Sequence, residues 1–330
     1  GRAGRALDDA YGILLSGSED DDITDYFIRS EFPPQVHVDE VLTALNEADD
    51  GLSIPMMQKH LNLAFGEISK TVKYLSVESP APVVKHGSRW YANPVDYEMD
   101  REAIEQLCAL RRREQQQMRD YMNSTECLMQ FLSRALDDPH AGPCGRCAVC
   151  VGEPLLAEAV NTDLANAAAM FLRRSHQAIE PRKKSPKDAF PVYDFPATIT
   201  ADLAAEEGRA LSLWGDAGWG QMVKEGKFEA GKFSDDLVEG CVQMIDVWNP
   251  DPKPAWAACV PSLKRPELVP DFAARLADRL GIAFVPCVTK VKGNRPQKEM
   301  QNSFMQAANI DGVFEVDESE VPEGPALLID

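Results

Sequence analysis

Four cysteines near the middle of the chain constrain its fold more than any other feature. The first, Cys127, stands 17 positions before a run in which every third residue is a cysteine: Cys144, Cys147 and Cys150. A Cys-x2-Cys spacing, relieved here by Gly145, lets a tight turn present two thiolates to one ion, and four thiolates suit tetrahedral zinc. The pattern therefore predicts a closed, structural Zn²⁺ site. The alternatives are an iron–sulfur cluster and four unrelated buried thiols.

The length and composition describe a protein of two to four globular units. The chain has 330 residues, of which 44% are apolar and 26% charged, as in globular rather than disordered proteins. We expect a cytoplasmic protein without membrane contact, because no apolar run approaches the roughly 18 residues of a membrane span and the first residues do not resemble a signal peptide. Thiols there stay reduced. The four isolated cysteines are therefore expected to be small buried side chains: Cys108, Cys241, Cys259 and Cys287.

The charge balance argues against a general attraction to nucleic acid. The chain has 53 acidic and 34 basic residues, a net charge of -19, and a uniformly acidic surface repels phosphates. Any contact with DNA must therefore be local. The charges do cluster: acidic residues lie at 19–22 and 317–323, and basic residues at 111–113 and 182–187.

Residues 35–97 follow the pattern of a winged helix, in which a hairpin follows three helices. In the third helix Ile68, Val72 and Leu75 share one face, which leaves Thr71 among polar residues on the other side. Two β-prone runs around Gly87 then predict the hairpin. The candidates for contacts with DNA phosphates are basic residues of the third helix and the hairpin: Lys70, Lys73, Lys85, His86 and Arg89. A protein-docking module is the alternative.

The first residues contain a candidate ATPase motif. Gly-Arg-Ala-Gly-Arg at positions 1–5 resembles the last ATPase motif of superfamily 2 helicases, where two arginines reach the terminal phosphate of the nucleotide. Arg2 and Arg5 are the matching residues, and a Gly/Arg-rich turn is the alternative. The apolar run 11–15 predicts a buried strand. Since no Gly-x-x-x-x-Gly-Lys-[Ser/Thr] loop is present, we expect the ATP-binding part upstream in a longer chain and no ATPase activity from this part alone.

In chain order, the arginine motif, a helical pair and the tetracysteine loop resemble the C-terminal half of RecQ-like ATP-dependent DNA helicases. The helical pair is expected at about 100–122 and 126–136, and the buried side of its second helix is expected to carry Leu128, Phe131, Leu132 and Ala135. In the usual RecQ arrangement the winged helix follows the zinc module. Here it precedes the cysteines, which resembles a bacterial RecQ-like branch that ends in a phosphoribosyltransferase-like domain. No HRDC helical bundle is evident.

The segment 154–250 is expected to connect two domains. It combines a short apolar helix at 155–172 with a basic extended stretch whose Arg182, Lys183 and Lys184 are candidates for contacts with a DNA backbone. A solvated linker is the alternative. The tryptophans and glycines of 214–220 predict a tight structural turn rather than a base-stacking platform.

From residue 251 the pattern becomes α/β, with a strand at 255–261, a helix around Leu268 to Leu280, a strand near 284–288 and a terminal strand at 326–330. Three short motifs resemble a competence-associated branch of type I phosphoribosyltransferases: Val260-Pro261-Ser262, Pro296-Gln297 and Asn302 to Asn309. The phosphate-cradling loop that this family has after its final strand is missing, so no phosphoribosyl transfer is expected from these residues. A basic edge is predicted from Lys264, Arg265, Lys290, Lys292, Arg295 and Lys298, without a choice between nucleotide, DNA and acidic protein.

The expected fold class is therefore multidomain α+β and α/β. Its segments are the tail of the second RecA-like helicase domain (1–34), the winged helix (35–97), a zinc-binding helical hairpin module (98–153), a mixed connector (154–250) and a truncated phosphoribosyltransferase-like domain (251–330). The resemblance implies an accessory region of a 3'-5' DNA helicase that acts in repair or recombination at junctions of single-stranded and duplex DNA. ATP and Mg²⁺ would serve the longer protein only. The alternative is a phosphoribosyltransferase-like nucleotide-binding protein with N-terminal regulatory modules.

Overall fold

A computed structural model describes residues 10–17, 19–156, 159–174, 176–214, 216 and 218–330. It has a mixed α and β architecture, and the chain divides into two compact units, residues 1–159 and 160–330. The candidate ATPase residues Arg2 and Arg5 lie outside the described residues. In the described part, no helix combines the length and the apolar character that a membrane span requires.

In its described residues the first unit is helical except for one hairpin. In chain order its elements are α1 (Asp20–Arg29), α2 (Gln35–Asn46), α3 (Ile54–His60), α4 (Phe65–Ser76), β1 (Val83–His86), β2 (Arg89–Ala92), α5 (Arg101–Met122), α6 (Leu128–Ala135) and α7 (Ala148–Val151).

The core of the first unit lies between α2, α3, α4 and the hairpin. Ile68, Val72 and Leu75 of α4 are completely buried, which confirms the apolar face predicted from the helical period. The antiparallel strands β1 and β2 pair through the register His86 with Arg89, and Gly87 takes the turn at φ +60°. The hairpin therefore follows three packed helices, in the order that the sequence predicts.

Two expectations about the first unit are wrong. Residues 11–15 form no strand and are exposed, because among the described residues no segment pairs with them and an apolar run without a partner strand has nothing to be buried against. Thr71, which was expected on the polar face of α4, is completely buried. Its hydroxyl donates to the Glu67 carbonyl oxygen at 2.8 Å, so a hydrogen bond within the helix makes its burial acceptable.

Helices and three small sheets make up the part of the second unit that the structure describes. In chain order its elements are α8 (Thr162–Arg174), β3 (Gln177–Ile179), β4 (Gly208–Ala210), α9 (Gly220–Glu225), a π-helical turn (Gly226–Ala230), α10 (Asp235–Trp248), β5 (Trp256–Cys259), α11 (Leu268–Leu280), β6 (Ala283–Phe284), β7 (Val288–Lys290), a 3-10 turn (Gln297–Glu299), α12 (Ser303–Ala308), β8 (Phe314–Val316) and β9 (Ala326–Ile329).

Its central sheet has the order β6-β5-β9, and both pairings are parallel. All four residues of β5 are buried, as expected for the middle strand of a covered parallel sheet. The helix α11 connects β5 to β6 and packs against α10, where Val238, Ile245 and Leu276 form a buried cluster. β3 with β4, and β7 with β8, form separate antiparallel pairs.

Several boundaries in the second unit differ from the sequence prediction. The helix expected at 155–172 is α8 and begins at Thr162, because the Asn161 side chain caps it by accepting from the Leu164 N–H at 2.9 Å. The strand expected near 284–288 is divided into β6 and β7, which join different sheets. Pro286 lies between them and has no N–H to donate to a ladder.

The isolated cysteines follow the expectation only in part. Cys259 and Cys287 are buried, whereas Cys108 and Cys241 are half-buried. Cys108 lies on α5 and faces α1, with its sulfur 3.9 Å from the Ile28 carbonyl oxygen, so an interface between two surface helices replaces the expected core position.

A candidate metal centre of four cysteines

Each of the four cysteines is positioned by local structure. Cys127 is the N-cap residue of α6, Cys147 precedes α7, Cys150 lies within α7, and Cys144 lies in the loop between the two helices. Gly145 has a φ of +73°, a left-handed conformation that glycine adopts without a Cβ clash, so the loop can reverse between the two cysteines on either side of it. The two short helices and the turn bring all four sulfurs to one point.

The distances match a single tetrahedral ion. The four sulfur atoms lie within 4.8 Å of one another, and those of Cys127 and Cys147 are 3.9 Å apart. Zinc–sulfur bonds of about 2.3 Å give a tetrahedron with edges of about 3.8 Å. All four cysteines are free thiols, so no disulfide accounts for their approach. The group fits one metal ion better than a multi-iron cluster, whose cysteines are bonded to different iron atoms.

Backbone N–H groups donate to the sulfurs of the cluster, beginning with those of Cys127 and Cys144. The Cys127 sulfur accepts from Cys144 N–H at 3.2 Å and from Gln130 N–H at 3.5 Å, and the Cys144 sulfur accepts from Cys147 N–H at 3.3 Å. The N–H groups of Cys144 and, to a smaller extent, Gln130 lower the pKa of the Cys127 thiol. A thiolate, the form that binds a metal, is thus favoured at this position.

The four thiols of the cluster oppose one another's ionisation. Burial raises the pKa of Cys147, but the N–H groups of Cys150 and Leu128 outweigh that effect and lower the pKa to about 6. The Gly145 N–H lowers the pKa of Cys150, yet the neighbouring thiols of Cys127 and Cys147 raise it to about 11. Sulfurs so close cannot all ionise without a counter-charge, and a divalent cation supplies one.

The surroundings of the cluster contain almost no apolar core. Between residues 100 and 153, all of which are described, the only buried side chains are those of Cys127 and Cys147. The expected buried side of α6 is therefore wrong for two of its residues, since Leu132 and Ala135 are exposed, while Leu128 and Phe131 are half-buried. With no larger apolar layer to pack on, the sulfur cluster is the organising centre of this region.

The predicted DNA contacts of the first unit fall into two groups. Lys70 and Arg89 contact the protein itself, since Lys70 Nζ donates to the Ser30 carbonyl at 2.7 Å and Arg89 Nη1 donates to the Asp50 carbonyl at 3.0 Å. In contrast, the remaining three are exposed on α4 and at the end of β1: Lys73, Lys85 and His86.

In the second unit Arg182, Lys183 and Lys184 are exposed, as the sequence predicts. They lie on a strand-like segment in which the Lys183 carbonyl accepts from Ile199 N–H at 3.1 Å. Arg182 Nη2 also donates to Gln306 Oε1 at 3.3 Å. The Gln306 contact and the N–H donors at Cys127 were missed from the sequence, because backbone groups and distant partners leave no residue pattern.

Comparison of the chain with models of protein families, with curated proteins and with solved structures found no match. The candidate site therefore has to be interpreted from its own geometry, which is that of four free thiols converging on the position of one metal ion.

Proposed function

We propose that this chain is the DNA-binding and structural region of a RecQ-like ATP-dependent 3'-5' DNA helicase. The single observation that carries the proposal is the convergence of Cys127 and the Cys144 to Cys150 loop on one metal position. This centre follows three helices and a hairpin in chain order, as in the RecQ-like branch that the sequence resembles. We assign structural Zn²⁺ to the site, since four cysteine ligands leave no open position for a substrate or a water molecule.

The metal would fold this region rather than take part in catalysis. When bound, zinc supplies four bonds that join the start of α6 to α7 and to the loop before it. The residues do the rest: N–H donors hold the sulfurs of Cys127 and Cys144, and Tyr121 packs edge-on against Phe131 at 5.6 Å, which connects α5 to α6. The centre thereby fixes the end of α5, a helix of 22 residues and about 33 Å.

The DNA-binding part of the proposal rests on exposed basic side chains of the first unit. Lys73 projects from α4, while Lys85 and His86 lie at the end of β1 beside the turn of the hairpin. In a winged helix these two elements approach the duplex, and their cations contact phosphates. We call the hairpin of β1 and β2 the wing, and we propose that it lies at the junction of single-stranded and duplex DNA.

The test is salt-dependent binding to a fluorescein-labelled fork, measured by fluorescence anisotropy. We expect binding at low salt, and we expect K73A/K85A to lower the slope of log K against log salt by about 1.8, at 0.9 for each lost phosphate contact. The control K224A/K253A removes two exposed lysines of the second unit and should leave the wing contacts unchanged. The DNA-binding proposal fails if the chain does not bind the fork at low salt.

A second candidate function is nucleotide binding by the second unit. The parallel strands β5 and β9 end side by side, with Val260 N–H donating to the Ile329 carbonyl at 2.8 Å, and Arg265 follows β5. Ligands of open parallel sheets bind at this carboxyl edge. If the unit binds phosphorylated nucleosides, a nucleoside monophosphate should raise its melting temperature, and R265A should abolish the rise. No shift with the unaltered chain would exclude this function.

A further inference from the structure

Two basic runs in the second unit stand apart from its acidic average. We name residues 182–187 the first basic run and residues 290–298 the second basic run. Each contains four lysines or arginines and no acidic residue, in a chain with a net charge of -19. More than a hundred positions separate them, so whether they act together depends on the fold.

The structure joins the two runs at one end through glutamines. Arg182 donates to the Gln306 side chain at 3.3 Å, and the Gln306 carbonyl accepts from Gln297 Nε2 at 2.7 Å. Gln297 belongs to the second basic run and Arg182 to the first. Asn309 adds to this network, since its Nδ2 donates to the Arg295 carbonyl at 2.9 Å and holds the second run against α12.

A second set of bonds joins the segment after the first run to the strand that pairs with the second. The buried Asp311 carboxylate accepts from the N–H groups of Val192 and Tyr193 at 2.9 and 3.1 Å. The Tyr193 hydroxyl accepts from Phe314 N–H at 2.7 Å and donates to the Phe314 carbonyl at 2.8 Å. Phe314 pairs with Lys290, whose ammonium lies 5.6 Å from the Phe314 ring centre.

The cations of this surface remain available to a ligand. Lys183, Lys184, Lys292 and Lys298 are exposed, and within the described part of the chain none of them forms an ion pair. Arg295 is the member with an acidic partner, Glu299, at 3.5 Å. The acidic run 317–323 follows β8 beyond Val316, whereas Lys290 pairs at the opposite end of the same strand. The antiparallel pair of β7 and β8 thus has the second basic run at one end and the acidic run at the other.

We propose that the two basic runs form one surface that binds the phosphate backbone of a single nucleic acid strand without reading its sequence. Lysines and arginines on a shared surface neutralise phosphates and release the cations condensed on the strand. Phosphate contacts position a strand but do not specify its bases. The inference deepens the proposed DNA-binding function by adding a second contact surface, remote in sequence from the wing.

The experiment uses the full chain and a labelled oligothymidylate of about 30 nucleotides, followed by fluorescence anisotropy at several salt concentrations. K183A/K184A and K292A/K298A each remove two cations, one pair from each run. We expect each double variant to weaken binding about tenfold at low salt and to reduce the salt slope by about 1.4, and the fourfold variant to reduce it by about 2.8. K224A/K253A removes the same charge elsewhere on this unit and should bind normally.

An unchanged slope for K292A/K298A would overturn the joined surface, even if the first run binds. Equal competition by oligoglutamate and by unlabelled oligothymidylate would also overturn it, since an acidic protein would then be the fitting partner. The wing distinguishes the two proposals. If K73A/K85A weakens fork binding while the variants of both runs bind as the unaltered chain does, this inference fails and the proposed function remains. If only the run variants weaken binding, the assignment of the wing fails.

Discussion

Replacing Cys147 with serine is expected to remove one equivalent of zinc from the purified chain and to unfold the region around the tetracysteine site. Cys127 and Cys147 are the only buried side chains between residues 100 and 153, so little apolar packing remains once the metal is lost. Structural zinc contributes roughly 10 kcal/mol or more of apparent binding free energy in small zinc domains at neutral pH. The expected effect is therefore the largest for any single substitution in this chain.

Two further variants separate the loss of metal from the loss of packing. Cys150 is exposed, so C150S removes a ligand with almost no change in buried apolar contact and should still release the metal. C108S alters a half-buried cysteine outside the site and should retain one zinc per chain. Metal content by mass spectrometry and hydrogen exchange of residues 124–152 measure the two effects. Full zinc content in C150S, or iron in the unaltered chain, would contradict the assignment.

Replacing Leu75 with alanine is expected to destabilise the first unit by about 2–5 kcal/mol, the usual cost of a large cavity in a core that relaxes only in part. Leu75 lies on α4 and is completely buried in the core that this helix forms with α2, α3 and the hairpin. Natural domains are stable by about 5–15 kcal/mol, so the substitution removes a large fraction of the total. The second unit has its own buried cluster around Val238 and Leu276 and should be affected little.

The tryptophans allow the two units to be followed separately. Of the five tryptophans, Trp90 belongs to the first unit and the other four to the second. In a chain labelled with 5-fluorotryptophan, urea titration of L75A by ¹⁹F NMR should shift the midpoint of the Trp90 resonance alone. The matched variant L276A, which opens a cavity between α10 and α11, should shift the other resonances instead. A common shift of all five in L75A would show that the chain unfolds as one body.

Much of the candidate site could be read from residue spacing. The Cys-x2-Cys-x2-Cys run predicts a turn with sulfurs on one side, and Gly145 supplies the left-handed residue that this turn contains. The period of Ile68, Val72 and Leu75 gives the buried face of α4, and Gly87 gives the hairpin turn. These features are local, because helix periodicity and turn geometry depend on a few neighbouring residues.

The errors occur where a local pattern has more than one tertiary outcome. The apolar run 11–15 is typical of a buried strand, but its side chains are exposed because no described segment pairs with it. Thr71 was predicted on the polar face of α4, yet a hydrogen bond from its hydroxyl to the Glu67 carbonyl lets it occupy the core. The run at 284–288 reads as one strand, but Pro286 interrupts it and each half pairs elsewhere.

The sequence by itself determined which four cysteines form the candidate metal site, which face of α4 is apolar and where the hairpin turns. Only the tertiary structure decided that Lys70 donates to the Ser30 carbonyl. It alone also decided that Asp311, Tyr193 and Gln306 form hydrogen bonds between the segments that carry the two basic runs. The physical reason is the distance along the chain between the residues that interact. Spacing encodes interactions within a few residues, whereas contacts between segments a hundred residues apart depend on how separate elements pack, and no short pattern records that.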